Sequence, residues 1–116
     1  MPKYMLLLHD NVSAFKDMSP AEMQKVIEKY VAWGNRLGAA GIMTDGQKLA
    51  DEPGRVMRKD KEGVRVTNGP YSETQEVLGG YYTIEAASYE AAIEHARDCP
   101  QLEYGGTIEV REVDAL

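Results

Sequence analysis

The chain has 116 residues, 43% of them hydrophobic and 28% charged, which is typical of a globular protein with one domain. Its formal net charge of −6 disfavours direct binding to nucleic acid or to an anionic membrane surface. The single cysteine, Cys99, excludes an intrachain disulfide and a cluster of thiolate metal ligands. No apolar run approaches the roughly 20 residues of a membrane helix, and no signal-peptide cleavage region is recognisable. We therefore expect one cytoplasmic domain over residues 1–116.

The first half of the chain predicts a buried strand, a long helix and a weaker strand. Residues 3–9 are apolar almost throughout, which favours a buried strand. A helix is expected over Ser19–Ala40, because Ser19 can cap it and Glu22 completes a capping box. Helical spacing places these side chains inward, with Trp33 on their flank: Met23, Val26, Ile27, Tyr30, Val31 and Leu37. A weaker strand follows at 42–49.

The second half predicts a hairpin, a strand, a second helix and a last strand. Their expected ranges are 55–59 and 64–67 for the hairpin strands, 81–86 for the next strand, Ser88–Cys99 for the helix and 107–113 for the last strand. The order is β-α-β, a hairpin, then β-α-β. This order predicts a ferredoxin-like α+β domain, with two helices on one face of an antiparallel sheet. The opposite face would carry Tyr81, Thr83 and Glu85 and would be amphipathic.

The segment between the hairpin and the fifth strand contains a turn and two glutamates. It begins Asn68-Gly-Pro-Tyr71, in which glycine permits a positive φ and proline disfavours helix before it. Glu73 and Glu76 follow three residues apart and would share one face of a helical turn. Gly79-Gly80 is expected to end that turn and to open the strand at Tyr81. Binding residues are often mounted on such segments.

These residues resemble the DGPF subgroup of the YCII-related family. The subgroup usually shows Asp-Gly-Pro-Phe, a small residue, Glu-Thr-Lys-Glu and then Leu-Gly-Gly-Tyr-Tyr. This chain differs at Asn68, Tyr71 and Gln75, and the resemblance extends to the strands at 3–8 and 106–111. It implies a dimeric α/β barrel, in which two sheets of a homodimer pack face to face. The family has no established reaction.

His9 is the leading candidate for chemistry. A histidine side chain ordinarily titrates near pH 6.5, which suits proton transfer. His9 ends the first strand, where that strand should open toward a pocket, whereas Asp10 should point to the other sheet face. Glu73 or Asp45 would supply a second carboxyl. The alternative is a structural histidine that is hydrogen-bonded to a loop carbonyl.

Other side chains are candidates for binding a ligand: Asn68, Tyr71, Tyr82 and Glu76. The tyrosines could line an apolar wall with hydroxyl tips, or could simply pack on their strands. Glu73 and Glu76 could act as acid and base, or could lie on a solvated turn. Asn68 stands where the subgroup has an aspartate, which weakens the case for a metal site. The usual nucleotide and esterase motifs are absent, so no cofactor is expected.

Two functions compete on these observations, and a third possibility is a purely structural dimer with a vestigial pocket. In the first, the protein binds a small molecule in a pocket of a dimeric α/β barrel and catalyses proton-transfer chemistry of the lyase or isomerase kind. In the second, which the family resemblance suggests, it is an accessory protein acting with an extracytoplasmic-function sigma factor through protein contacts. Because the chain is acidic, that role would not involve direct contact with DNA.

Overall fold

The computed structural model describes residues 1–52, 54–68 and 76–116. Within them the chain forms, in order, β1 (Lys3–Asn11), α1 (Pro20–Ala39), β2 (Met43–Lys48), β3 (Arg55–Asp60), β4 (Gly63–Asn68), β5 (Glu76–Glu85), α2 (Tyr89–Ala96), α3 (Pro100–Glu103) and β6 (Thr107–Glu112). No helix in these ranges is long and apolar enough to span a bilayer.

The strands form one four-stranded sheet and a separate hairpin. The large sheet has the order β2-β5-β1-β6, and each neighbouring pair is antiparallel. β3 and β4 pair only with each other in a second, two-stranded sheet. The four-stranded order is that of a ferredoxin-like fold, so the predicted α+β class and the hairpin are confirmed. The central strands, β1 and β5, therefore carry the residues that lie deepest in the protein.

The core lies between the sheet and the helices. Leu6 of β1 and Ile84 of β5 are fully buried, and side chains from both long helices pack on them. The ring of Trp33 in α1 meets the ring of Tyr82 edge-on, with centroids 5.1 Å apart. The helices thus cover one face of the sheet, and no helix of the described residues covers the other face.

Helix α1 begins as its sequence predicts. The Ser19 side chain accepts from the backbone N–H of Glu22, and the Glu22 side chain accepts from the N–H of Ser19. Its inward face was only partly predicted, because Ile27 and Val31 are exposed. The true stripe is Val26, Tyr30, Trp33 and Leu37 at intervals of four, three and four residues. Ile27 and Val31 each follow one position later and so point about 100° away from it.

The second predicted helix is shorter than expected and is followed by another. α2 ends at Ala96, and Cys99 is the extended residue that precedes α3. Pro100 explains this, because proline excludes the helical conformation from the residue before it and then fits the first position of a new helix. Ile93 was expected to face inward and is exposed, whereas Ala92 and Ala96 are buried.

Strand β5 begins earlier than the sequence suggests. It starts at Glu76 instead of Tyr81, so the predicted helical turn at Glu76 is wrong. Gly79 and Gly80 lie inside the strand, at positions where atoms of the neighbouring strands leave no space for a side chain. A Cβ at Gly80 would lie 2.7 Å from the carbonyl oxygen of Gln47. Glycine here allows a close approach and does not mark a turn.

Candidate active site on the open face of the sheet

The end of β1 sends adjacent side chains to opposite faces of the sheet. The pairing of β1 with β5 shifts between Leu8 and His9, so Leu8 pairs with Gly80 whereas His9 pairs with Leu78. The extra residue of this bulge is Gly79 on β5, so the side chains of β1 continue to alternate between the two faces. His9 emerges on the face away from the helices, and Asp10 emerges on the helix-facing side, as the alternation predicts.

The face away from the helices carries two hydrogen-bonded pairs and several apolar side chains. We call it the open face, and its members are Lys3, Met5, Leu7, His9, Asp45, Gln47, Leu78, Tyr81, Thr83, Glu85, Thr107, Glu109 and Arg111. Each of these residues either pairs with a member of the same face in a neighbouring strand or lies two positions from one in its own strand. The face therefore combines a few apolar side chains with a larger number of polar and ionisable ones of both charges.

His9 has a carboxylate partner on this face. Its Nε2 lies 3.2 Å from Oε1 of Glu109 in β6, and the two side chains are 28% and 48% exposed. Among the described residues, the partner is Glu109 and neither a loop carbonyl nor Asp45. Sequence reasoning missed Glu109 because its position depends on how β6 pairs with β1. The sequence does indicate which face Glu109 is on. Its neighbours Ile108 and Val110 face the core, so the side chain of Glu109 points to the opposite face.

Asp45 lies on the same face with a different partner. The hydroxyl of Tyr81 donates to Oδ2 of Asp45 over 3.1 Å. This hydrogen bond, with some desolvation, raises the pKa of Tyr81 above its usual value. The open face thus has an imidazole–carboxylate pair on β1 and β6 and a phenol–carboxylate pair on β5 and β2.

Behind His9, the helix-facing side holds a buried glutamine that fixes the end of β1. Nε2 of Gln101 donates to the carbonyl oxygen of His9 over 2.9 Å and to Oδ1 of Asp10 over 2.8 Å. Its Oε1 accepts from the Tyr30 hydroxyl at 2.6 Å. Gln101 is only 3% exposed, so this network is rigidly packed. It fixes the position of the backbone from which the His9 side chain projects. No sequence motif predicts this network.

A glycine on β5 makes room for this network. A Cβ at Gly79 would lie 1.9 Å from Oδ2 of Asp10. A glycine just before β6 does the same, because a Cβ at Gly106 would lie 2.4 Å from Nε2 of Gln101. The two glycines, the bulge and the glutamine therefore belong to one structure that positions β1 at the candidate site.

Comparison with known proteins identifies the chain's relatives. The model of the YCII-related domain matches residues 2–115, nearly the whole chain. The protein belongs to the YCII-related family. It is also 27% identical, over 96 residues, to an uncharacterized protein of Rhizobium meliloti (strain 1021), covering 82% of this chain and 77% of that protein. Neither comparison names a reaction or a ligand.

The remaining candidates in this YCII-related domain lie elsewhere. Tyr82 is on the helix-facing side, where burial raises the pKa of its phenol, so the sheet separates it from His9. Glu76 is exposed at the start of β5 and pairs with Asn11. Asn68 ends β4 opposite Arg55 in the separate hairpin. Glu73, Tyr71 and the glycine–proline turn lie outside the described residues. Of the predicted site residues, His9 and Asp45 thus share the open face.

The arrangement around His9 suits proton exchange. Glu109 can orient the imidazole, which is what a carboxylate partner does for a histidine general base. In the described ranges no three histidine, cysteine or acidic side chains are grouped closely enough to hold a metal ion. Cys99 is buried, which raises the pKa of its thiol to about 11, so it is a poor nucleophile at neutral pH. The YCII-related domain therefore offers acid–base groups.

Proposed function

We propose that this protein binds a small molecule on the open face of its sheet, and that His9 transfers a proton to or from that molecule. The observation that carries the proposal is the 3.2 Å contact of His9 Nε2 with Glu109 on a face that the helices leave uncovered. A partly exposed imidazole with a carboxylate partner can accept a proton from a carbon acid or hydroxyl and return it, as lyases and isomerases require.

A second copy of the chain would enclose this site. The open face has apolar side chains, Met5 and Leu7, beside its polar ones. A stable interface buries about 1,600 Å² in total, and one sheet face packed on its equivalent is an efficient way to reach that area. The DGPF-like signature supports such a dimeric α/β barrel. Excluding water between the sheets would strengthen the interaction of His9 with Glu109 and with an anionic intermediate.

The two carboxylate pairs would have different roles. Glu109 would hold the imidazole and balance its charge after it accepts a proton. The Tyr81 phenol, which donates to Asp45 and is neutral at pH 7, would offer a polar contact to the ligand without changing its own charge. Proton transfer would then depend on His9 alone, while Tyr81 and Asp45 would affect ligand affinity.

Binding to a chemically defined library tests the proposal. We would screen small organic acids, lactones and phenols by thermal shift, because a ligand of the native state raises the unfolding temperature. Any binder is then examined by NMR for a shift of the His9 imidazole signals and is assayed for turnover. We expect His9→Asn to abolish turnover and leave the unfolding temperature nearly unchanged.

The second histidine of the chain provides a matched control. His95 lies on α2, away from the open face, so His95→Asn should leave both binding and turnover unchanged. Equal effects of the two substitutions, or a ligand that shifts only the His95 signals, would overturn the proposal. A library without binders, together with retention of a sigma factor in a pull-down, would contradict the proposal and favour the accessory-protein hypothesis.

A further inference from the structure

Arg111 on β6 has a guanidinium group that is only loosely held. Oε2 of Glu109 lies 3.8 Å from its Nη1, and within the described ranges the guanidinium makes no hydrogen bond. Other arginines are held more closely, each with a carboxylate oxygen no more than 3.1 Å away: Arg36, Arg55, Arg65 and Arg97. The Arg111 side chain is also 70% exposed. Its N–H donors are therefore free to bind a ligand.

One carboxylate lies between Arg111 and the candidate acid–base group. Oε1 of Glu109 is 3.2 Å from Nε2 of His9, while Oε2 of the same side chain faces Arg111. Strand pairing sets this order, because His9 pairs with Thr107 and Met5 pairs with Arg111, two residues to either side of Glu109. His9 and Arg111 thus lie on opposite sides of Glu109 along the same face. One small molecule can therefore contact both.

The charges around Arg111 permit one negative charge on a ligand and oppose several. Besides Glu109, the carboxylates of the open face are Asp45 and Glu85. Asp45 lies three strands away from Arg111, about 14 Å at the ordinary strand spacing. Glu85 pairs with a cationic residue, Lys3. The face as a whole still carries more carboxylates than fixed cations, so a ligand with several negative charges would be repelled.

The shape of the guanidinium group selects the kind of anion. It presents parallel N–H donors that match the two oxygens of a carboxylate. A phosphate group also binds arginine, but it carries roughly −1.5 to −2 charges at pH 7, which the surrounding carboxylates oppose. Because β6 is an edge strand, a ligand can reach Arg111 from the side of the sheet even where a second copy covers Met5 and Leu7.

We propose that Arg111 binds the carboxylate of the small molecule on which His9 acts, so that the ligand is an organic monocarboxylate. This inference rests on the proposed function and adds to it the chemical class of the ligand. The guanidinium would fix the carboxylate at one end of the ligand, and His9 would meet the exchangeable proton at the other end. Affinity should then depend on Arg111, and turnover on His9.

Probes that differ in one group test the ligand class. Wild-type protein is titrated at pH 7 with para-hydroxybenzoate, para-hydroxybenzamide and para-hydroxyphenyl phosphate, and NMR signals of the backbone and of the arginine side chains give the dissociation constants. We expect the carboxylate to shift the Arg111 signals and to bind at least tenfold more tightly than the other two. Carboxylate binding no tighter than that of the amide or the phosphate ester would overturn the inference, as would unshifted Arg111 signals at tens of millimolar carboxylate.

Two substitutions of arginine by glutamine test the position of the carboxylate site. Arg111→Gln should raise the dissociation constant of para-hydroxybenzoate at least tenfold and leave that of the amide unchanged. Arg97→Gln makes the same change of charge at the end of α2, away from the open face, and should leave both constants unchanged. Arg111→Lys keeps the charge but loses the paired donors, so its affinity should be intermediate. Equal losses from Arg111→Gln and Arg97→Gln would show that net charge governs binding, which contradicts a site at Arg111.

Kinetic measurements separate this inference from the proposed function. With a carboxylate that the protein turns over, Arg111→Gln should raise KM at least tenfold and leave kcat nearly unchanged, whereas His9→Asn should abolish turnover and keep the affinity for para-hydroxybenzoate. An unchanged KM in Arg111→Gln, together with an inactive His9→Asn, would overturn the carboxylate site alone. Carboxylate binding that depends on Arg111, without turnover of any carboxylate, would support the site and contradict proton transfer by His9.

Discussion

At the scale of single residues, the approach of Asp10 to Gly79 explains why β5 contains a glycine. A Cβ at Gly79 would lie 1.9 Å from Oδ2 and 2.6 Å from Cγ of Asp10. The carboxylate cannot move away freely because Gln101 donates to its Oδ1 over 2.8 Å. We predict that Gly79→Ala lowers the free energy of unfolding by about 1–3 kcal/mol through overpacking, as measured in urea.

Two variants separate this clash from the general effect of removing a glycine. Gly38→Ala in α1 has no heavy atom within 4 Å of its new Cβ and should stabilise the protein by up to about 1 kcal/mol. Adding Asp10→Ala to Gly79→Ala should recover part of the lost stability, because it removes the clashing group. Additive effects of the two substitutions would contradict the steric explanation.

The same residues show what sequence reasoning can and cannot recover. Ser19 and Glu22 were identified as a helix start because a capping box is a local pattern. Gly79 and Gly80 were misread as the end of a turn, because the atoms that require glycine there belong to distant parts of the chain. Glu109 was missed for the same reason, since it meets His9 only through strand pairing.

At the scale of elements, Asp98 joins α1 to the segment between α2 and α3. Its Oδ1 accepts from the indole Nε1 of Trp33 at 3.1 Å, and its Oδ2 accepts from Arg36 at 2.5 Å. Burial acts to raise the pKa of Asp98, but the hydrogen bonds from Arg36 and Trp33 outweigh it and lower the pKa. A lowered pKa in the folded state means that the charged form stabilises the fold.

The direction of this pKa shift determines how the effect of Asp98→Asn on stability depends on pH. The contribution of the carboxylate is fully present above the ordinary aspartate pKa, near pH 4, and is lost as pH falls through the lower folded-state pKa. The asparagine oxygen can still accept from Trp33. Since the Asp98 and Arg36 side chains are more than half exposed, we predict a loss of at most about 1 kcal/mol at pH 7. The loss should be smaller at pH 3 than at pH 7.

Urea unfolding followed by the fluorescence of Trp33, the single tryptophan, measures this difference at both pH values. The exposed pair of Glu94 with Arg97, at 3.0 Å, makes no bond to the indole and serves as the control through Glu94→Gln. A constant difference between wild type and Asp98→Asn across the pH range would contradict a role for the carboxylate charge.

At the scale of the whole molecule, the fold was predictable because its helices and strands carry local sequence patterns, such as caps and alternation. Two capped helices between strands, and alternation along β5, were sufficient to predict the antiparallel α+β sheet. The lengths of α2 and β5 were not, since Pro100 and the two glycines act through their neighbours. What the open face binds depends on its side chains and their arrangement, which the order of elements does not determine.

That face leads to a prediction about stability and concentration. If a second copy covers Leu7, only the folded protein associates, so the unfolding temperature should rise with concentration. For a chain of 116 residues we expect about 5 °C for a hundredfold increase. Leu7→Lys should remove this dependence, whereas Val31→Lys on the outer side of α1 should preserve it. Calorimetry at 2 and 200 µM gives the result, and a concentration-independent wild-type temperature with a monomeric mass would show that the open face is not covered by a second copy.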